Sequence, residues 1–394
     1  MLGITELNSL DQFMALREDW NSTLRRSNED NIFSTWEWLS TWWKCFGKQR
    51  KLMIQLVKNK NDIVAIAPLM LTAHRIFRFP LNKIEFIGTG FSDYCNFILT
   101  KEKKRSLELF LDRLNDRTIN YDCVDLKQIP ETAEYASLLR KLAVRRSMFI
   151  ERSVSTCYYM RLPDSRRTFK ANIRRKTRRE QERALRRLAE EYKVEFKIYN
   201  DVDSTKEAVK MFFQLHQKRW IFKGSQGLVS SPMIRIFFSD ICRIFAENGW
   251  LNLSFLMADG EPISSLFGFE YNGKYYAYLS GFDPAYHKYS PGNLLVMHVA
   301  EDCVRRKLKE YDFLRGNEFY KRSWTSLNRK NIEMKFMRRR IGPILEDCID
   351  GSIHDWVTDL MKRNPAIYTI ARIARDSKAV EKLGNAISIK GVQK

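Results

Sequence analysis

Residues able to carry acid–base chemistry follow a predicted buried strand, which runs from Tyr311 to Arg315. Shortly beyond it a carboxylate, a phenol and an ammonium group occur at Glu318, Tyr320 and Lys321. Together they could supply a general base, a general acid and a group that stabilises developing negative charge. A surface loop with ordinary salt bridges explains the same residues, so both interpretations stay open at this point.

A second candidate is the turn from Asp283 to Asn293, which precedes a helix predicted to begin at Leu294. Two prolines stiffen this turn, Gly292 lets backbone approach a ligand closely, and Ser290 or Asn293 can cap the helix. The amides of a first helical turn lack intrahelical partners and can bind a pyrophosphate. Taken alone, a Pro-Gly helix start is more often only a turn.

The third candidate is His216-Gln-Lys-Arg-Trp220, at the end of a predicted helix. A lone histidine is more often a satisfied structural residue, whereas Arg219 and Trp220 beside a glycine-containing loop favour a binding wall. The sequence has neither a G-x-S-x-G elbow nor a G-x-x-x-x-G-K-[ST] loop, which argues against a serine hydrolase of the usual kind and a P-loop enzyme.

Composition limits the class of protein. The 394 residues suit two domains, and 44% apolar residues are ample for folded cores. The formal charge of +21 indicates an anionic partner or substrate. Seven scattered cysteines and five dispersed histidines predict reduced thiols and no metal site. The amino terminus has no export signal and no apolar run is long enough to span a membrane, so we expect a soluble, cytoplasmic protein.

The elements that must position these residues follow a repeated order. Hydrophobic patterns predict a mixed α/β (α+β) fold, in which the turns at Asp62 and Asp259 and the strand starts at Tyr121 and Tyr311 lie about 190 to 200 residues apart. This ordered series predicts a duplicated domain. The predicted segments are a first domain at 1–163, a basic connecting helix at 164–192, a second domain at 193–345 and a basic helical tail at 346–394.

Two basic segments could contact a partner. Between Arg166 and Arg187 there are eleven Lys or Arg residues and two Glu, without Gly or Pro, which predicts one long helix. It is either a solvated linker or a positive wall for an anionic substrate or tRNA. The tail has amphipathic helical spacing, which allows peripheral membrane contact or simple packing on the second domain.

Several sequence blocks carry a resemblance to a known family. They are His216-Gln-Lys-Arg-Trp220, Gly268-Phe-Glu-Tyr271 leading to Leu279-Ser-Gly-Phe-Asp-Pro284, Tyr289-Ser-Pro-Gly-Asn-Leu294, Tyr311-Asp-Phe-Leu-Arg-Gly316 and Glu318-Phe-Tyr-Lys-Arg322. Together they resemble the BioF2-like, FemAB-related branch of the GNAT acyltransferases. The resemblance covers about Arg166 to Arg338 well and the first half more loosely.

This resemblance implies two GNAT-like domains, each a mixed, mostly antiparallel sheet flanked by helices, with the acyl donor bound in the second. It implies transfer of an acyl group, most often from acetyl-CoA or another acyl-CoA, to an amine. The expected donor-binding residues are Leu279, Ser280, Gly281, Lys288, Tyr289, Ser290, Pro291, Gly292 and Asn293. The expected substrate-binding residues are His216, Arg219, Trp220, Tyr286 and Arg315.

The expected mechanism is direct attack of a neutral amine on the thioester. Asp283 or Glu318 would remove its proton, and Lys321 or a strand amide would stabilise the oxyanion. Tyr286 or Tyr320 would protonate the leaving thiolate. Members of the family commonly occur with polysaccharide or cell-envelope biosynthesis, which suggests an amino sugar as acceptor.

Two other functions stay open. The loop at 288–293 differs from the usual GNAT R/Q-x-x-G-x-G/A pattern, and FemAB-like relatives use aminoacyl-tRNA, so the chain could be an aminoacyl-tRNA-dependent transferase. The basic segments also allow a non-catalytic binder of a polyanion or a membrane surface.

Overall fold

A computed structural model describes residues 2–76, 79–116, 118–144 and 148–337. All of them belong to one compact unit. The predicted tail at 346–394 lies outside the described residues. The domain limits at 163 and 192 stay predictions.

Eleven α-helices occur in the described residues. They are α1 (Leu10–Met14), α2 (Arg17–Arg25), α3 (Trp36–Phe46), α4 (Lys103–Leu114), α5 (Glu134–Val144), α6 (Arg166–Asn172), α7 (Arg175–Glu191), α8 (Val202–Phe222), α9 (Pro232–Glu247), α10 (Pro291–Arg305) and α11 (Phe319–Trp324).

Thirteen strands of the described residues form one continuous sheet. They are β1 (Leu2–Leu7), β2 (Arg50–Asn59), β3 (Asp62–Ile76), β4 (Phe79–Phe86), β5 (Ile98–Leu99), β6 (Cys123–Pro130), β7 (Met148–Arg161), β8 (Val194–Tyr199), β9 (Leu251–Ala258), β10 (Glu261–Tyr271), β11 (Lys274–Phe282), β12 (Glu310–Arg315) and β13 (Asn328–Met337). Their order is β1-β2-β3-β4-β6-β13-β7-β12-β11-β10-β9-β8, with β5 paired to β3.

The two halves of the sheet have the same topology. In the first, β1 to β4 are antiparallel neighbours and β4 runs parallel to β6. In the second, β8 to β11 are antiparallel neighbours and β11 runs parallel to β12. Both parallel pairs join only over a short register before the strands diverge. The predicted fold class and the internal repeat are therefore confirmed.

The last strand of each half lies beside the other half. β13, at the end of the second half, pairs antiparallel with β6 and β7 of the first. β7 in turn pairs antiparallel with β12 of the second half. The sheet consequently has no break between the halves.

Helices cover both faces of this sheet. On one face the aromatic helices α2 and α3 pack with α8 and α9 around a core that spans both halves, with Trp38 and Phe237 in edge contact at 5.2 Å. On the other face α4 and α5 cover the first half, and α6, α7 and α10 cover the second. Because strand side chains alternate between faces, Tyr276 belongs to the first core and its neighbours Tyr275 and Ala277 to the last.

Three local predictions were wrong. The basic segment is not one helix, because it breaks between α6 and α7 at Ile173, where extended backbone lets this buried side chain pack with Phe169 against α10. Most of the turn beginning at Asp283 is a 3-10 helix, since Asp283 caps it by accepting from the amide of Ala285. The following helix begins at Pro291 and not at Leu294, because proline suits the first helical position.

Within the described part of the chain, no helix combines the length and hydropathy that crossing a membrane requires. No group of three or more His, Cys, Asp or Glu side chains there could hold a metal ion. The six described cysteines are unpaired thiols, and burial raises the pKa of Cys95 and Cys157 to about 12. Cys348 lies outside the described residues.

Candidate active site

The divergence of β11 from β12 creates the opening for a site. β11 pairs with β12 only at Lys274 to Tyr276, so the later residues of β11 have β10 as their strand neighbour on one side only. The register with β10 slips at Phe267 and Gly268, where Tyr278 is the extra residue of a bulge. Backbone groups of β11 are thus available to a ligand lying along the strand.

Helix α10 begins at the end of this opening. Ser290, in the left-handed conformation, precedes Pro291 at the first helical position, and its side chain makes no capping hydrogen bond. The amides of Asn293 and Leu294 bond back to the Ser290 carbonyl, at 3.0 and 3.2 Å. Gly292 lies between Pro291 and Asn293, and the position that a Cβ would take there has no neighbouring heavy atom within 4 Å outside the helix's own backbone.

A cavity of about 230 Å³ connects the divergent strands to the start of α10; we call it the donor cavity. Its walls are Arg219, Ser265, Leu266, Ala277, Ser280, Gly281, Phe282, His287, Ser290, Pro291, Gly292, Asn293, Leu295, Val296, Tyr311, Phe313 and Tyr320. Most of its wall is apolar, with polar groups at a few positions, as is usual in cofactor sites.

Some polar atoms in this wall are unused. The Ser265 hydroxyl, the Tyr311 hydroxyl and the Arg219 Nε are buried and have no hydrogen-bond partner among the described residues. Buried polar groups are normally paired, so these atoms can bond to a water or ligand molecule in the cavity.

Comparison with known proteins agrees with this geometry. Residues 175–322 match the family described as "Acetyltransferase (GNAT) domain". This stretch of the chain is a GNAT-type acyltransferase domain. No curated protein matches it significantly in sequence.

Solved structures show the same fold. FemX has a TM-score of 0.60 at 10% identity, with coverage of 88% of this chain and 99% of FemX. The structure titled L-PGS, from Bacillus licheniformis, has a TM-score of 0.53 at 10% identity, with coverage of 83% and 94%. A protein of unknown function from Bacteroides thetaiotaomicron has a TM-score of 0.54 at 12% identity, with coverage of 86% and 100%. The chain therefore has the fold of FemX over most of both lengths.

In this domain Arg219 supplies a cation to the wall of the donor cavity. Its guanidinium donates to the carbonyl of Ser280 at 3.0 Å and to the hydroxyl of the same residue. It also lies over the ring of Phe282 at 5.7 Å. Burial lowers the pKa of Arg219, while Tyr320 and Glu318 oppose that effect. The guanidinium thus stabilises the end of β11. Its Nε has no hydrogen-bond partner among the described residues.

Tyr320 is the predicted catalytic residue that reaches the donor cavity wall. Burial and the charge of Glu318 raise its pKa well above the usual value, although Arg219 opposes them. The phenol therefore stays protonated at neutral pH and can act as an acid. Its short helix α11 was not predicted.

Lys321 and Glu318 lie beside the cavity but not in its wall. The Lys321 ammonium, in a side chain only 4% exposed, donates to the carbonyls of Leu314 and Arg315, at 3.2 and 2.7 Å. It also pairs at 3.0 Å with Glu318, which is half exposed. Lys321 thus holds the end of β12 in place and orients Glu318.

The predicted residues of the turn divide between the cavity wall and ion pairs. Asp283 pairs with Lys218 at 2.6 Å. Burial alone would raise the pKa of Asp283, but hydrogen bonds from Lys218 and the Ala285 amide lower it. Lys288 lies 3.4 Å from Glu191 of α7. Neither Asp283 nor Lys288 forms part of the cavity wall, in contrast to the residues from Ser290 to Asn293.

His216 and Trp220 of α8 lie outside the wall of the donor cavity and bond to each other. The indole of Trp220 donates to His216 Nε2 at 3.0 Å, and burial together with Arg219 lowers the pKa of His216 to about 4. The histidine is therefore neutral. Gly281 is where α8 crosses β11, because a Cβ there would lie 2.3 Å from the His216 amide nitrogen.

The other predicted residues lie outside the cavity wall. Tyr286 packs against Tyr192 at 5.4 Å, and Tyr289 is buried. Arg315 pairs with Asp93 of the first half at 2.6 Å. Leu279 is partly buried against the core that spans both halves.

Ser265, Tyr311, Phe313 and His287 line the cavity and were not predicted as site residues. One signal was available: Ser264 and Ser265 interrupt an otherwise apolar strand, and buried hydroxyls need a partner.

Proposed function

We propose that this acyltransferase moves an acyl group, such as acetyl, from acyl-CoA to the amine of an amino sugar used in polysaccharide or cell-envelope biosynthesis. The observation that supports it best is the donor cavity, which follows the open edge of β11 and ends at the start of α10. An extended pantetheine suits the strand edge, and a pyrophosphate suits a helix start with an adjacent guanidinium.

The unused polar atoms give this donor specific partners. Three side-chain groups of the cavity wall have no hydrogen-bond partner among the described residues: the hydroxyls of Ser265 and Tyr311 and the Nε of Arg219. The amides and hydroxyl of pantetheine can satisfy the first two, and a phosphate oxygen can accept from Arg219. The start of α10 lends partial positive charge to the same end of the cavity.

In the proposed reaction the amine nitrogen bonds to the thioester carbonyl carbon and the carbon–sulfur bond breaks. A backbone amide of β11 stabilises the oxyanion, since Lys321 is already bonded to two carbonyls. Glu318, directly or through water, takes the amine proton. Tyr320 gives its proton to the thiolate and is reprotonated from solvent.

Calorimetric titration with acetyl-CoA tests the donor, and thiol release in the presence of glucosamine tests the transfer. We expect saturable binding and acceptor-dependent release of CoA. Flat titrations with acetyl-, succinyl- and long-chain acyl-CoA would contradict an acyl-CoA donor. Transfer from a charged tRNA under the same conditions would instead support the aminoacyl-tRNA-dependent alternative.

Removing the phenol of Tyr320 tests the chemistry. We expect Tyr320→Phe to lower kcat about 10²-fold, the low end of general-acid contributions, with little change in the Kd for acetyl-CoA. Tyr199→Phe on the edge strand β8 is the matched control and should leave both constants unchanged. An equal kcat for Tyr320→Phe and the unaltered protein would remove Tyr320 from the mechanism.

A further inference from the structure

A second cavity, of about 270 Å³, shares no wall residue with the donor cavity; we call it the seam cavity. It is formed by residues 28–31, Tyr94, Asn96, Pro130 and residues 132–134 of the first half, together with Lys274, Tyr276 and Arg329. Tyr276 belongs to the core that spans both halves, and its ring contacts Phe33 at 5.9 Å. The donor cavity uses the neighbouring Ala277, whose side chain points to the other face.

Three polar atoms of residues that line the seam cavity are buried without a hydrogen-bond partner among the described residues. They are Oε2 of Glu29, in a residue 7% exposed, the hydroxyl of Tyr276, in a residue 1% exposed, and Nε of Arg329. Leaving such atoms unpaired costs free energy, so a bound molecule that pairs Glu29 and Tyr276 is favoured.

The other charged groups of this cavity already have partners. Asp30 accepts from the Tyr271 hydroxyl at 2.8 Å. Glu134 binds Lys103 at 2.5 Å. Arg329 and Lys274 both pair with Glu310, at 2.5 and 3.6 Å. Among the carboxylates of this wall, Glu29 is therefore the one with a buried oxygen that has no hydrogen-bond partner among the described residues.

The composition of the wall selects a class of ligand. A metal ion is disfavoured, because no group of three or more carboxylate, imidazole or thiol side chains in the described ranges could hold one. Asn28, Asn96 and Thr132 add two side-chain amides and a hydroxyl to this wall, whereas the Asn31 amide is already bonded within the chain. At about 270 Å³, the seam cavity has room for a small molecule or for one end of a larger one.

We propose that the seam cavity binds a small, hydroxylated ammonium compound of the amino-sugar or amino-alcohol class, with its ammonium group on Glu29 and a hydroxyl on Tyr276. The polar wall then hydrogen-bonds the remaining hydroxyls. This site is separate from the donor cavity and does not depend on the proposed acyl donor.

The ionisation of Glu29 is consistent with such a ligand. Burial raises its pKa to about 7, with Glu134 adding to the effect and Lys103 opposing it. An ammonium group at contact distance would favour the charged carboxylate. The charged groups around Glu29 are Asp30, Lys103, Glu134, Lys274 and Arg329.

Calorimetry and thermal unfolding at pH 7.5 test the proposal. Glucosamine is compared with its neutral counterpart glucose, and ethanolamine with ethylene glycol. We expect at least one amine to bind saturably and to raise Tm, while its neutral counterpart does neither. Glu29→Gln should weaken the amine at least 10-fold. Glu247→Gln, on the exposed side of α9 and paired with Arg243, is the matched control and should bind normally.

Tyr276→Phe provides a second variant in case Glu29→Gln folds poorly, since it removes an atom that has no partner among the described residues. It should weaken the hydroxylated amine without lowering Tm. Failure of both amines to bind, or unchanged binding to both variants, would overturn the proposal. Amine binding that survives in Glu29→Gln would assign the amine to another site.

Discussion

Gly292→Ala separates a ligand-binding role of the α10 start from a purely structural one. An added Cβ meets no heavy atom within 4 Å, and the glycine does not have a left-handed backbone. The substitution therefore introduces no clash in the free protein. Alanine in a helix is favoured over glycine by about 0.5–1 kcal/mol, so the free energy of unfolding should stay level or rise slightly.

Donor binding should respond in the opposite direction. Gly292 lies in the wall of the donor cavity, and a methyl group there occupies space that the pyrophosphate needs beside the helix amides. We expect the Kd for acetyl-CoA to rise at least 10-fold, which corresponds to about 1.4 kcal/mol.

The assay pairs calorimetric titration of acetyl-CoA with urea unfolding. Gly3→Ala is the control, because that position on β1 is also open and is remote from the cavity. Gly3→Ala should bind acetyl-CoA normally. If Gly292→Ala also binds it normally, the helix start is only a turn and the reasoning from its geometry fails.

Other substitutions test the supports of the two cavities. Gly281→Ala should destabilise the fold by about 1–3 kcal/mol in urea unfolding, because its Cβ would lie 2.3 Å from the His216 amide nitrogen. Lys321→Met should cost about 1–3 kcal/mol, since two carbonyls lose their donor, and should lower kcat by misplacing Glu318. The raised pKa of Glu29 means that its contribution to stability is complete below pH 4.5 and declines as pH rises through about 7. Glu29→Gln should therefore gain up to about 3 kcal/mol relative to the unaltered protein between pH 4 and 8, and equal pH profiles would contradict the assignment.

The sequence was most informative where local pattern and topology agree. The hairpin of β9 and β10, the strand β11 and the repeated order of elements follow from hydrophobic alternation and turn residues, which act locally. The segment from Ser290 to Asn293 was predicted for the donor site and lies in the cavity wall, because a Pro-Gly helix start determines its own geometry.

Contacts that only the folded chain brings together could not be predicted from the sequence pattern. Arg315 looked available for a substrate, but it pairs with Asp93, more than two hundred positions away along the chain. Lys321 was predicted as a catalytic residue, and the structure places its ammonium on the carbonyls of Leu314 and Arg315 at the end of β12, a local contact that the sequence pattern did not reveal. The seam cavity combines Glu29 with Tyr276, and no spacing rule links residues so distant in sequence.

β7 and β13 each pair with strands of the other half, and this pairing affects how the chain folds during its synthesis. β13 fills the place between β6 and β7, so those strands have exposed edges until residues 328–337 have left the ribosome. Unpaired edges are the usual starting points of aggregation, and the first half must wait through the synthesis of the entire second half. The two halves can therefore complete their shared sheet only after residues 328–337 have been synthesised.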